Sequence, residues 1–190
     1  MHDDELWQVY AQNGEPVIGD GRKKETFLDG TLNGAAHVWV WRRIGDDIEV
    51  LLQERSKNII SWPGYFDISA AGHINLGETP ADAGVREAKE EIGIVIGSDA
   101  LDFVFAHRKY VDKEQNITAK MTELHWVYAY EVASGDTFVF DDGEVTSTHW
   151  LEGDNFPNSR DEAAALNMVP HSNEYFSQLS KHFRTKRNRE

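Results

Sequence analysis

From Gly72 to Ile94 the chain reads Gly-His-Ile-Asn-Leu-Gly-Glu-Thr-Pro-Ala-Asp-Ala-Gly-Val-Arg-Glu-Ala-Lys-Glu-Glu-Ile-Gly-Ile, and this stretch limits what the rest can be. Thr79 can cap a helix, Pro80 suits its first position, Asp82 falls where a capping-box acid sits, and Gly93 can end it in a left-handed conformation. The spacing predicts a loop followed by a helix of about three turns. At roughly 100° per residue, Glu87, Glu90 and Glu91 share one stripe, whereas Val85, Ala88 and Ile92 lie opposite. One face packs and the other gathers carboxylates. Like charges at i, i+3 and i+4 cost a few tenths of a kcal/mol per pair and raise one another's pKa in a cleft. A divalent cation removes that conflict. Oxygen donors with no cysteine nearby favour a hard ion, Mg²⁺ with Mn²⁺ as a substitute, which keeps waters and binds substrate phosphates.

The same residues carry a resemblance. Gly72, five residues, Glu78, seven residues, then Arg86-Glu87-Ala88-Lys89-Glu90-Glu91-Ile92-Gly93-Ile94 resembles the Nudix box, G-x5-E-x7-R-E-U-x-E-E-x-G-U. All seven fixed positions match, a coincidence on the order of 10⁻⁸ per start position at ordinary residue usage. Ala88 is smaller than the usual aliphatic there and touches no chemistry. A merely solvated helix face would interleave lysine with its acids. The resemblance implies an α/β fold, the Nudix-type α/β/α sandwich with a mixed central sheet. It also implies that Gly72 offers a carbonyl, and Glu87, Glu91 and Glu90 offer carboxylates, to a metal. Glu78 and Arg86 then hold the helix in register, since a guanidinium has five fixed donors; Arg86 and Glu90 are also counted with the catalytic groups.

A looser similarity to the isopentenyl-diphosphate isomerase branch runs from about Val9 to Leu151, through Arg55-Ser56 and Trp62-Pro63-Gly64. Arg55, Lys57, Trp62 and Tyr65 are the expected substrate contacts. His73 stands where the isomerase has a metal-binding histidine, although a hydrogen-bonding spacer is the plainer reading. For the base that activates water, Glu144 beside Gly143 suits a mobile loop, and Glu123 at a strand start matches an isomerase glutamate. Glu144 is preferred.

Composition sets further limits. The chain has 190 residues, 33 acidic against 19 basic, net −14, and no cysteine. That length is most simply one domain, with an N-terminal hairpin and loop over 1–34, a core over 35–183 and a basic tail over 184–190. The charge argues against a nucleic acid duplex, whose affinity needs lysine and arginine. It would also repel an anionic substrate unless a metal ion and local cations attract it. No disulfide or thiolate site can form. No apolar run reaches the ~20 residues that span a bilayer, and the acidic start lacks a basic n-region, so neither a membrane partner nor export is expected. A cytoplasmic enzyme with a small phosphorylated substrate is the natural reading, and nothing argues against a homodimer.

Along the chain, Leu6 to Ala11 and Pro16 to Gly19 flank an Asn13-Gly14 turn signal, giving a small hairpin that could be a lid or an edge. Residues 21–34 are polar and read as a loop. Ala35 to Ile44 and Ile48 to Gln53 predict a longer hairpin. Leu101 to Val111 and Thr122 to Val132 predict another pair, and Glu144 to Leu151 a late strand. Ser159 to Leu166 and Ser172 to Phe183 read as helices, the second with Tyr175, Phe176, Leu179 and Phe183 on one face.

The expected function is Mg²⁺-dependent hydrolysis of a diphosphate linkage in a nucleoside di- or triphosphate, or in a nucleoside diphosphate joined to another moiety. Isomerase chemistry is disfavoured because its cysteine, directly before the box glycine, is Ala71 here. A non-catalytic nucleotide sensor is disfavoured by the intact box.

Overall fold

The computed structural model describes residues 5–23, 29–111, 120–133, 137–140 and 143–187. Its sheet is organised around one long strand, β3 (Asp29–Ile44). Along one edge β3 pairs in parallel with β8 (Lys120–Glu131). Elsewhere it pairs antiparallel with three shorter strands in succession: β1 (Trp7–Tyr10), β6 (Ala70–His73) and β4 (Asp47–Arg55). β2 (Pro16–Arg22) joins β1, β5 (Phe66–Asp67) and β9 (Val145–Glu152) join β4, and β7 (Asp102–Val111) joins β8. Among the described residues the result is a mixed, unclosed sheet of nine strands.

Alternation along β3 sends its side chains to two cores. Val38 and Val40 pack with Ala88 and Ile92 of α1 (Pro80–Ile92). Trp39 and Trp41 pack with Tyr175, Phe176, Leu179 and Phe183 of α3 (Asn173–Arg187), and Ala163 of α2 (Arg160–Ala165) joins them. Two helical layers therefore cover the two faces, the expected α/β/α sandwich. Each large apolar side chain buried in these cores contributes ~2 kcal/mol.

Three expectations about element limits change. Residues 21–34 are not simply a loop: β2 runs through Arg22 and β3 begins at Asp29. The sequence there is polar, yet Leu32 and Asn33 are buried because β1 and β8 flank them. Lys24 and its neighbours to 28, and the 112–119 part of the loop after β7, lie outside the described residues. The basic stretch from 184 does not fray at once. α3 continues to Arg187, since Lys186 pairs with Asp102 and Arg187 with Asp47 and Asp154. The N-terminal hairpin, third, is half edge and half interior, with β2 on the rim and β1 paired on both sides.

Candidate active site

α1 is set by its ends. The Thr79 hydroxyl accepts from the Asp82 amide, Pro80 opens the helix, and Gly93 closes it at φ 74°. Gly84 lets the helix lie close to the sheet, for a Cβ there would stand 3.0 Å from Val38. This packing turns the acids toward β6.

Arg86 is the hub. Its Nε donates to Glu78 Oε1 at 2.9 Å, and Nη2 donates to Glu78 Oε2 at 3.1 Å and to the His73 carbonyl at 2.8 Å. Nη1 donates to Glu87 at 2.6 Å and to Glu90 at 3.1 Å. Burial alone would lower the guanidinium pKa, and the bonds to Glu78 and Glu87 outweigh it and raise it. Glu78 in turn accepts from the Asn75 amide at 2.9 Å, which ties the loop before the helix to the helix itself.

The three helix acids differ in surroundings. Glu90 is the exposed one, with 54% of its side chain open to solvent. Glu91 is buried, and its Oε2 accepts from Gln53 Nε2 and from the Ala71 amide, each at 3.0 Å. Glu87 lies against the box glycine: a Cβ on Gly72 would stand 2.0 Å from Glu87 Oε1, so any side chain there would displace the carboxylate. Burial pushes the Glu87 carboxyl up to about 7 despite Arg86, with Glu90 and Glu5 adding to the rise. Among the described residues, no three acidic or histidine side chains converge as metal ligands; Arg86 Nη1 reaches both Glu87 and Glu90.

On the opposite face of the sheet lies a second polar group. Strand alternation carries His73 away from α1, and its Nε2 lies 3.4 Å from Glu123 Oε1, while His125 Nε2 lies 3.1 Å from Glu123 Oε2. Burial would raise the Glu123 carboxyl, but the two imidazoles outweigh it and hold it well below the usual range. His125 continues to His37, ring centroids 4.1 Å apart, and His37 Nδ1 meets the Tyr175 hydroxyl at 2.8 Å. Burial favours the neutral form of both histidines, holding His125 down at about 4 and His37 well below its ordinary value.

Of the remaining expected residues, Glu144 is half-buried at the mouth of β9, its carbonyl accepting from Ser56 N at 2.7 Å. It thus adjoins the end of β4, where Ser56 lies three residues beyond the Gln53 that holds Glu91. Arg55 closes the loop after β4, donating to the Ser61 carbonyl and to Asp67. Trp62, at φ 50°, meets Tyr65 edge to face at 5.0 Å, and Lys57 is exposed beside Gly64. Box acids, Arg86 and Gly72 come together; Glu123 stands apart from them across the sheet. Gln53, Asp67 and the His37–His125–Tyr175 group were not singled out from the sequence. Their partners are far along the chain, and no local spacing marks them.

The glycine that lies against Glu87 and the arginine that grips three acids both belong to the 72–94 segment, and the comparison with known proteins places that segment in a family. The NUDIX domain model matches residues 32–172. The chain belongs to the Nudix family. It is 35% identical over 130 residues to Nudix hydrolase 3 of Arabidopsis thaliana, covering 64% of this chain and 17% of that protein, a small part of the relative's length. An isopentenyl-diphosphate Delta-isomerase of Photobacterium profundum is 29% identical over 138 residues, covering 70% of this chain and 72% of the isomerase. The crystal structure of DR0079 from Deinococcus radiodurans superposes with a TM-score of 0.61 at 19% identity, covering 97% of this chain and all of that one, which shows that the two share a fold. Among the described residues, no helix is long and apolar enough to cross a membrane.

Proposed function

We propose that this Nudix chain is a Mg²⁺-dependent hydrolase that cleaves the diphosphate linkage of a nucleoside di- or triphosphate, or of a nucleoside diphosphate joined to another moiety. The observation that carries the reading is Glu87. A carboxyl pressed against the Gly72 backbone, flanked by Glu90 and pushed up to about 7 by burial even with Arg86 Nη1 at 2.6 Å, is a charge that the one arginine offsets only in part. An oxygen-rich set of this kind suits a hard divalent ion held by Gly72, Glu87, Glu90 and Glu91, with Mn²⁺ able to replace Mg²⁺. Bound there, the ion would neutralise phosphate charge and lower the pKa of an attacking water.

The chain's own groups supply the rest. Arg86, anchored by Glu78, keeps the acids in register. Lys57, Trp62 and Tyr65 belong to the loop that faces substrate, which Arg55 braces. Glu144 is the preferred base: it sits at a glycine-containing turn, whereas both oxygens of Glu123 are engaged by His73 and His125 on the other face. Ala71 in place of a cysteine removes the thiol an isomerase would need.

A panel of nucleotides and nucleotide conjugates, assayed with Mg²⁺ for phosphate or pyrophosphate release, tests the reading. Turnover of at least one member is expected, and none with any member sinks it. With a substrate in hand, Glu144→Gln should lower kcat by about 10²–10⁴ and recover in part as hydroxide rises. Full kcat at neutral pH in that variant would remove Glu144 from the role.

A further inference from the structure

The strand β1 lies outside the region that the family model matches, yet its backbone is bonded to the loop that leads into α1. Leu76 N donates to the Leu6 carbonyl and Gln8 N to the Ile74 carbonyl, each at 2.8 Å. The buried Gln8 side chain extends this. Its Oε1 accepts from Gly77 N at 3.3 Å, and its Nε2 donates at 2.9 Å to the carbonyls of Val9 and of Val17 in β2. One amide therefore ties both strands of the hairpin to the 74–77 loop. Gly21 of β2 closes on the same loop, since a Cβ there would stand 2.8 Å from Leu76.

Trp7 adds a second hold. Its ring stacks on His73 at 3.4 Å between centroids and 5° between planes, and Trp7 bridges to Asn75. From these contacts two short routes lead to Arg86. One runs through His73, whose carbonyl accepts from Arg86, and the other through Asn75, whose amide donates to the Glu78 that grips Arg86. Removing the hairpin would return the Ile74, Leu76 and Gly77 backbone groups to water and free the segment that carries Gly72, His73 and Glu78. The cost of ordering that segment would then fall on ligand binding.

We propose that the β1–β2 hairpin is a working part of the metal site, with Trp7 and Gln8 as positioning residues that hold the 72–78 segment, and through it Arg86 and Glu87, ready for a divalent cation. By linkage, the cation must tighten the hairpin in return. This rests on the reading of the acids as a metal site.

The test uses the full chain and Mn²⁺ as probe, with free Mn²⁺ measured by electron paramagnetic resonance and circular dichroism as the check of folding. Trp7→Ala and Gln8→Leu should each weaken Mn²⁺ binding by about tenfold, the low end of what removing a support behind metal ligands costs. Trp7→Phe keeps a stacking face and should retain most of the affinity. Ile18→Thr, at a 90% exposed site on the outer strand of the same hairpin, should change nothing. In the wild-type protein, saturating Mn²⁺ should slow hydrogen exchange at the amides of Gln8, Leu76 and Gly77. Wild-type Mn²⁺ affinity in folded Trp7→Ala and Gln8→Leu overturns the proposal. If either variant fails to fold, unchanged exchange at those three amides overturns it. Absence of Mn²⁺ binding by the wild type would instead overturn the metal reading, and this proposal with it.

Discussion

Glu87 and Glu91 sit one helical turn apart and do different things. For Glu87 the folded pKa, about 7, lies above the ordinary 4.5, so its contribution is full below pH 4.5 and is lost as pH rises through 7. Glu87→Gln should therefore raise the stability of the metal-free protein at pH 8 by about 1–3 kcal/mol while weakening Mn²⁺ binding. Urea melts and a Mn²⁺ titration on one sample check both halves, and an unstabilised variant contradicts the account of Glu87. Glu91 is braced instead, with two donors on one oxygen. Glu91→Gln keeps an acceptor for both, so the fold should survive while turnover falls by about 10²–10⁴. Glu91→Ala strands Gln53 Nε2 and the Ala71 amide, which should cost about 2–4 kcal/mol in a thermal melt. Equal stability of the two variants would mean that those bonds do not hold the helix to the sheet.

Among the elements, α1 could be read from its own residues, because caps, proline and glycine act within a few positions of one another. The start of β3 could not. Asp29 to Gly34 is polar and becomes strand only because β1 and β8 supply partners from 20 and more residues away. α3 shows both cases: its apolar face is periodic, but the bonds that orient it are not. The Tyr175 hydroxyl meets His37 Nδ1 at 2.8 Å and accepts from Trp39 Nε1 at 3.0 Å, pinning the first turns of α3 to β3. Tyr175→Phe leaves both buried nitrogens without that partner and should cost about 2–4 kcal/mol, seen as a lower urea midpoint with an unchanged slope. A loss below half a kcal/mol would show that packing alone docks the helix.

Across the whole molecule, pH acts through buried groups of opposite sign. His37 and His125 have folded pKa values below the ordinary 6.5, so the stability they contribute is complete above pH 6.5 and is lost as pH falls toward 4. Facing them are His171, Tyr175, Glu123 and Lys109, and none of these supplies enough negative charge to keep the imidazoles protonated. Glu87 opposes this trend between pH 7 and 4.5, so the Glu87→Gln background isolates it. In that background stability should fall from pH 6.5 downward, steepening toward ~1.4 kcal/mol per pH unit for each histidine. A flat profile from pH 6.5 to 5 would mean that these histidines are hydrated rather than buried neutral.

The residues 72–94 by themselves determined the family, the helix with its two caps, the acid stripe and the arginine that serves it, because all of these are set by spacing along one short segment. Strand alternation and turn signals likewise determined most of the sheet's components. Only the tertiary structure decided which acids share surroundings. It put Glu87 against Gly72, tied Glu91 to Gln53 and Ala71, and set Glu123 across the sheet between two imidazoles. It also turned an N-terminal hairpin expected as a lid or edge into a support for the box, through Trp7 on His73 and Gln8 on Gly77. Burial, and with it pKa, depends on groups brought together from distant segments, whereas capping and periodicity depend on near neighbours in sequence.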